Sequence, residues 1–322
     1  MAVVWQLGLI VVLSLGLMKA TGLVVGALNG LVKRTKLGSF GAAAFLAAIA
    51  TSLPELVVGI TAAMQGKPEV SLGNVLGSNI ADVSLGIGGA ALVGGSVGVL
   101  GEILKRDFAT AFLAAALPLV LLIDGQLTRF DGWVLIVVYV IYNVMTLGEG
   151  RGYGYKRLER VWGRIWHKLG EAQTEKQLGW LVVGTVGLVV TADWLVKTAT
   201  NLANTAGISV FLISLFLVAV GTSLPELAFE IKTIRAKQIG MVFGNLLGSV
   251  VANSTLILGL TVVINPIILE NGFKSYLIAT MVFVLVFGLF WWLARTKRRL
   301  DRWEGLVLVG VYLVFAWWEF AH

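Results

Sequence analysis

Two peptides of identical sequence, Thr51-Ser-Leu-Pro-Glu55 and Thr222-Ser-Leu-Pro-Glu226, each place an acid directly behind a proline inside an apolar stretch. A glutamate in the middle of an apolar span costs about 2.5–3.5 kcal/mol even on lenient insertion scales. Carrying that cost twice, in the same local pattern, points to a buried cation site. Proline has no N–H and clashes with the carbonyl four residues back. Pro54 and Pro225 are therefore expected to free the carbonyls of Ala50 and Gly221. Freed carbonyls are tolerated at membrane depth where they line a hydrated or ion-filled cavity. Thr51 and Glu55 are spaced to share a helix face, as are Thr222 and Glu226. With Ser52 and Ser223, each peptide offers a carboxylate, hydroxyls and backbone oxygens within about one turn.

A second motif adds more oxygen groups. Gly-Asn-Val-Leu-Gly-Ser-Asn-Ile-Ala-Asp runs from Gly73 to Asp82, and Gly-Asn-Leu-Leu-Gly-Ser-Val-Val-Ala-Asn from Gly244 to Asn253. Asn74, Ser78 and Asp82 recur every four residues, as do Asn245, Ser249 and Asn253. Gly73, Gly77, Gly244 and Gly248 suit close approach of neighbouring helices. The donors are hard oxygens, without nitrogen or sulfur. Calcium takes about 6–8 such oxygens at about 2.3–2.6 Å in flexible geometry, whereas magnesium prefers a tighter octahedron and keeps its waters. A lone proline in a span is usually a kink, a lone Gly-x-x-x-Gly usually packing, and a serine or threonine usually bonds back to its own helix. Duplication at identical places favours the functional reading for Glu55 and Glu226, with Asp82 close behind. Glu230 and Lys232, one turn beyond Glu226, read as a solvated rim. Lys19 reads as snorkelling or as the partner of Asp193 or another acid. Trp291-Trp292 and Trp317-Trp318 read as interfacial anchors.

The chain that positions these motifs has 322 residues, 57% hydrophobic and 13% charged, with mean hydropathy +0.88. A soluble domain carries about 25% charged residues, so an integral membrane protein is expected. Cysteine is absent, and the two histidines, His167 and His322, lie outside the apolar spans. That argues against thiolate or buried histidine metal sites, and no cofactor is expected. Windows of about 20 residues give ten spans: 3–30, 38–64, 71–96, 108–124, 131–147, 179–204, 209–231, 240–264, 275–293 and 303–320. Lys and Arg concentrate after the odd-numbered spans, which places both termini outside and the central loop in the cytoplasm. The net charge of +7 is then a topological signal, and nucleic acid is not expected as a partner.

The halves repeat. Glu226 − Glu55 and Gly244 − Gly73 both equal 171. A fainter echo pairs Leu127-Thr-Arg-Phe-Asp-Gly with Leu300-Asp-Arg-Trp-Glu-Gly. Five spans per half is an odd number, so the second half must enter the membrane inverted, an arrangement that places substrate near the midplane between the repeats. The expected fold is all-α: a polytopic membrane protein of ten transmembrane helices in two inverted five-helix repeats, 1–148 and 178–322, joined by a cytoplasmic linker, 149–177.

On the paired Thr-Ser-Leu-Pro-Glu and Gly-Asn-x-Leu-Gly-Ser-x-x-Ala-Asp/Asn peptides, the sequence resembles the sodium/calcium exchangers of the cation/calcium antiporter superfamily, prokaryotic type. The resemblance implies that Glu55 and Glu226 are central calcium ligands, assisted by backbone oxygens around Thr51 and Thr222 and flanked by Asp82 and Asn253. Ser52, Ser78, Ser223 and Ser249, with the threonines, would complete sodium sites. It implies an antiporter and not an enzyme, exchanging Na+ for Ca2+ across the cell membrane by alternating access and expected to act as a monomer in the lipid bilayer. Proton-coupled exchange of calcium or another divalent cation is the alternative. The chain departs from the family pattern at Ala50, where the second repeat has Gly221, and at Val250, where the first has Asn79. It also carries Asp82 and Asn253 where Asn in the first repeat and Asp in the second are expected.

Overall fold

The computed structural model describes residues 1–34, 51–98, 107–149, 172–236, 239–269, 274–297 and 299–321. The described chain is helical apart from short strands. In the first half α1 spans Ala2–Arg34, α2 Leu53–Met64 and α3 Pro68–Gly94. Then come β1 (Ser96–Gly98), α4 (Phe108–Leu121), β2 (Gln126–Leu127) and α5 (Arg129–Glu149). The second half runs α6 (Ala172–Ala206), α7 (Val210–Thr222), α8 (Leu224–Arg235) and α9 (239–264). It closes with β3 (Ile267–Ile268), α10 (Lys274–Lys297), β4 (Arg299–Asp301) and α11 (Arg302–Ala321). Three of these helices contain a π-helical stretch: Asp82–Ile87 in α3, Ser214–Val218 in α7 and Ala252–Ile257 in α9.

Local chemistry fixes several boundaries. Gly66 (φ +71°) turns the chain between α2 and α3, and Gly207 (φ +69°) ends α6, conformations that cost a side-chain-bearing residue more. Thr128 and Asp131 close a reciprocal cap on α5: the Thr128 N–H donates to Asp131 Oδ2 at 2.7 Å, and the Asp131 N–H to Thr128 Oγ1 at 3.4 Å. At the matching place before α11, the Asp301 N–H donates to Glu304 Oε2 at 2.7 Å.

Among the described residues, seven helices are long and apolar enough to cross a membrane: α1, α3, α5, α6, α9, α10 and α11. The bent pair α7 and α8, 43° apart, makes an eighth, while α2 and α4 are shorter apolar helices. The second and seventh expected spans are therefore not continuous helices. Each breaks at the serine of its motif, Ser52 or Ser223, and restarts with Pro54 or Pro225 in the first turn. Residues 38–50 of the expected second span, Ala50 included, lie outside the described residues, as do both histidines and most of the expected linker. α6 already begins at Ala172, inside that expected linker.

The surface is apolar and the centre polar. Val140, Val186 and Leu313 face outward at 54%, 57% and 60% exposure, while Glu55, Asn74 and Ser78 are fully buried. Lipid permits this inversion and water does not. Trp292 and Trp317 stand exposed toward helix ends, and the Arg295 guanidinium sits 5.0 Å over the Trp291 ring.

Repeat-equivalent helices pack antiparallel. In α1 and α6, Gly16 faces Thr191 while Gly184 faces Ala20 and Val24. In α3 and α9, the Ser71 and Thr261 hydroxyls bond at 2.8 Å and the Asn79 amide donates to Ser254 Oγ at 2.7 Å. Glycine contacts are reciprocal as well: Gly88 packs on Gly305, and their repeat counterparts Gly259 and Gly132 pack on each other. β1 pairs antiparallel with β4, and β2 with β3. Each pair joins the two halves, and exchanging the halves maps one pair onto the other.

Gly73 and Gly77 seat α3 against α7. A Cβ at Gly77 would collide with the Leu215 carbonyl oxygen, and one at Gly73 would meet the Phe211 carbonyl at 2.6 Å. Gly244 has no described atom within 4 Å of such a position. Gly77→Ala should therefore lower the melting temperature of the detergent-solubilised protein, by about 1–3 kcal/mol of overpacking. Gly288→Ala, at an exposed helical site with no atom within 4 Å, should leave it unchanged or raise it by up to about 1 kcal/mol of helix propensity.

Candidate functional site

The breaks at Ser52 and Ser223 bring two helix N-termini into the polar centre. Glu55 lies in the first turn of α2 and Glu226 in the first turn of α8. There the aligned peptide dipoles favour negative charge. Both carboxylates are buried, at 0% and 2% exposure. A helix running unbroken through the proline would have given neither acid this partial compensation.

Two hydrogen bonds related by the repeat tie the breaks to the second motif. Thr51 Oγ1 donates to Asn245 Oδ1 at 3.1 Å, and Thr222 Oγ1 to Asn74 Oδ1 at 3.0 Å. Each threonine of one half is thus held by the asparagine of the other. Ser78 and Thr222 hydroxyls lie 3.4 Å apart. Ser52 Oγ reaches Ser249 Oγ at 3.1 Å and Glu226 Oε1 at 3.5 Å. Its counterpart Ser223 faces the carboxylates of Glu55 and Asp82 but closes no hydrogen bond. The Asn253 amide donates to Asn79 Oδ1 at 3.3 Å, so Asn79 links Asn253 to Ser254.

All ten residues expected from the sequence are buried: Thr51, Ser52, Glu55, Ser78, Asp82, Thr222, Ser223, Glu226, Ser249 and Asn253. Reading the sequence missed the structural roles of Asn74, Asn245, Asn79 and Ser254. The four-residue spacing of the ladder already marked the first two. It also misread Glu230, which is no solvated rim: it is 1% exposed, with both carboxylate oxygens unpartnered. Its position four residues after Glu226, on the same face of α8, was the available signal. Lys19 is exposed, and Asp193 instead pairs with Lys197 at 2.7 Å and accepts from the Gln65 amide at 2.7 Å.

No Lys or Arg is buried among the described side chains. Glu55, Asp82 and one oxygen of Glu226 have no hydrogen-bond partner, and neither has Asn253 Oδ1. The charges of Glu55, Asp82 and Glu226 act on one another, yet among the described residues no three acidic side chains converge on one metal-sized point. A calcium ion here would combine fewer carboxylates with neutral hydroxyl, amide and backbone oxygens. Orphaned acceptors without a cationic side chain are what a hard cation satisfies.

Such a site, walled by apolar helices, defines a membrane transporter for cations. The chain belongs to the sodium/calcium exchanger protein family, which matches residues 5–148 and 176–321. It is 30% identical to the putative antiporter CaxA of Alkalimonas amylolytica over 86% of each chain. It is 28% identical to the sodium/calcium exchanger MaX1 of Methanosarcina acetivorans, over 93% of this chain and 94% of that one. The fold matches the sodium-calcium exchanger NCX_Mj, in crystals soaked with Na+ and Sr2+, with a TM-score of 0.64 and 26% identity over 97% of each chain.

The two serines differ in the hydrogen bonds they make. Ser52→Ala removes a made hydrogen bond and should lower ion-free stability by about 1 kcal/mol. Ser223→Ala removes none, so it should leave ion-free stability unchanged while reducing the rise in melting temperature produced by added Ca2+ or Na+. Thermal unfolding with and without each ion reads both effects.

Proposed function

We propose that this antiporter exchanges Na+ for Ca2+ across the cell membrane by alternating access. Ten transmembrane helices form two inverted five-helix repeats, 1–148 and 178–322, joined by a linker at 149–177 with both termini extracytoplasmic. The antiparallel packing of α1 with α6 and of α3 with α9 supports the inversion. One observation carries the functional reading: Glu55 and Glu226 head two broken helices from opposite halves, both buried, with no cationic side chain buried among the described residues. The bent pair α7 and α8 supplies a jointed element at the site.

The cations are substrates and supply the missing charge. A divalent ion between the carboxylates, or several sodium ions spread over the Ser and Thr hydroxyls, neutralises the centre. A centre left uncompensated resists closure, because burying unpaired charge is costly. That penalty couples the fluxes: the carrier crosses loaded with one ion or the other and not empty. Neutral ligands, namely the hydroxyls of Thr51, Ser78, Thr222 and Ser249, suit sodium as well as calcium.

Proton coupling is the second reading. It is favoured by the same observation, since a proton also neutralises a buried carboxylate. In proteoliposomes loaded with Na+, the protein should accumulate Ca2+ from a sodium-free bath, and Glu55→Gln or Glu226→Gln should each reduce uptake to the protein-free background. Full uptake in either variant would remove the central role of the pair. Uptake driven by a pH gradient with sodium absent would select the proton reading.

A further inference from the structure

Glu230 is the buried acid that the duplicated motif does not account for. Its repeat counterpart is Gly59, so the first half has no acid at this place. The contacts differ accordingly. In the first half, Gly59 packs against Ile257, and the adjacent Ser71 and Thr261 hydroxyls satisfy each other at 2.8 Å. In the second half, the counterpart of Ile257 is Gly86, and the Glu230 carboxylate occupies the space: a Cβ at Gly86 would collide with Glu230 Oε2. The counterparts of Ser71 and Thr261 are Val242 and Ala90, which have no hydrogen-bonding side chain. Both Glu230 oxygens are buried without a partner, as are both Asp82 oxygens. The Asp82 charge acts on Glu230. The two acids stand one turn apart along the π-helical stretch of α3, because Gly86, which Glu230 touches, follows Asp82 by four residues.

We propose that Glu230 and Asp82 form an additional cation site, one turn of α8 beyond the central carboxylates toward the C-terminal end of α3, taking one hard alkali or alkaline-earth cation. The inference builds on the exchanger reading of the central site. A further buried anionic side chain requires a further positive charge, and no Lys or Arg is buried among the described side chains. Carboxylate oxygens from two helices suit a cation that prefers oxygen ligands. Gly86 is the residue that makes room: any side chain there would take the place of the Glu230 carboxylate. Two differences between the halves in buried acids, Asp82 opposite Asn253 and Glu230 opposite Gly59, thus converge on one place.

Equilibrium dialysis of the purified full-length protein with radioactive Ca2+ at saturation without Na+, and separately with radioactive Na+ without Ca2+, counts the bound ions. Glu230→Gln should bind one ion fewer per chain than wild type in at least one of the two arms. Gly86→Ala should do the same by crowding the carboxylate, while Glu230→Asp retains the ion. Should Glu230→Gln fail to fold, the Gly86→Ala and Glu230→Asp pair gives the same answer. Unchanged counts in both arms, as expected if Glu230 merely holds a proton, would overturn the additional site. Wild type that binds neither ion would instead overturn the exchanger reading itself, so the two failures are distinct.

Discussion

The structure depends on one constraint: acids are buried in an apolar bundle, and among the described residues no basic side chain is buried to pair them. Every local feature of the centre answers it. The helices break so that peptide dipoles point at Glu55 and Glu226, and threonine and asparagine satisfy each other across the halves. The amide nitrogens of Asn74 and Asn245 are unpartnered donors that a cation does not satisfy. Unsatisfied acceptor oxygens remain on Glu55, Asp82, Glu226 and Asn253, and they are complementary to a hard cation. A packed core would not retain such a group, because an unpartnered buried polar atom costs about 1–3 kcal/mol and a charged one more.

The same constraint explains the symmetry. Bringing the two acids together from separate halves requires the halves to meet face to face, and the reciprocal contacts show how. Thr51 with Asn245 mirrors Thr222 with Asn74. Gly88 with Gly305 mirrors Gly259 with Gly132. The strand pair β1 and β4 mirrors β3 and β2. Several departures from symmetry are polar. Ser52 is bonded where Ser223 is not, and the acids Asp82 and Glu230 stand opposite Asn253 and Gly59. The scaffold is two-fold while the charge is one-sided, so the two faces of the site present different fields to an approaching ion.

Much of this was legible in the sequence because duplication converts weak signals into strong ones. The ten residues expected at the site from the duplicated motifs are all buried, and the faint echo at Gly132 and Gly305 marks two glycines that are helix contacts. Apolar windows located the long helices within a few residues. They read straight through Ser52 and Ser223, because a hydropathy average cannot register that proline begins a new helix. Glu230 was misread for a related reason. It lies beyond the repeated motif, beside Lys232, and only the packing of α8 on Gly86 shows that it points inward while Lys232 stays exposed. Asn79 and Ser254 bond across the halves, a relation that spacing within one helix cannot reveal.

The central claim is that one shared site loads either Na+ or Ca2+ and crosses the membrane only when loaded. The most direct measurement is net Ca2+ movement in proteoliposomes of equal internal and external Ca2+ as the sodium gradient is imposed in either direction. The account predicts Ca2+ flow opposite to Na+, reversing when the gradient is reversed. Calcium that stays at equal concentration under both gradients would contradict it.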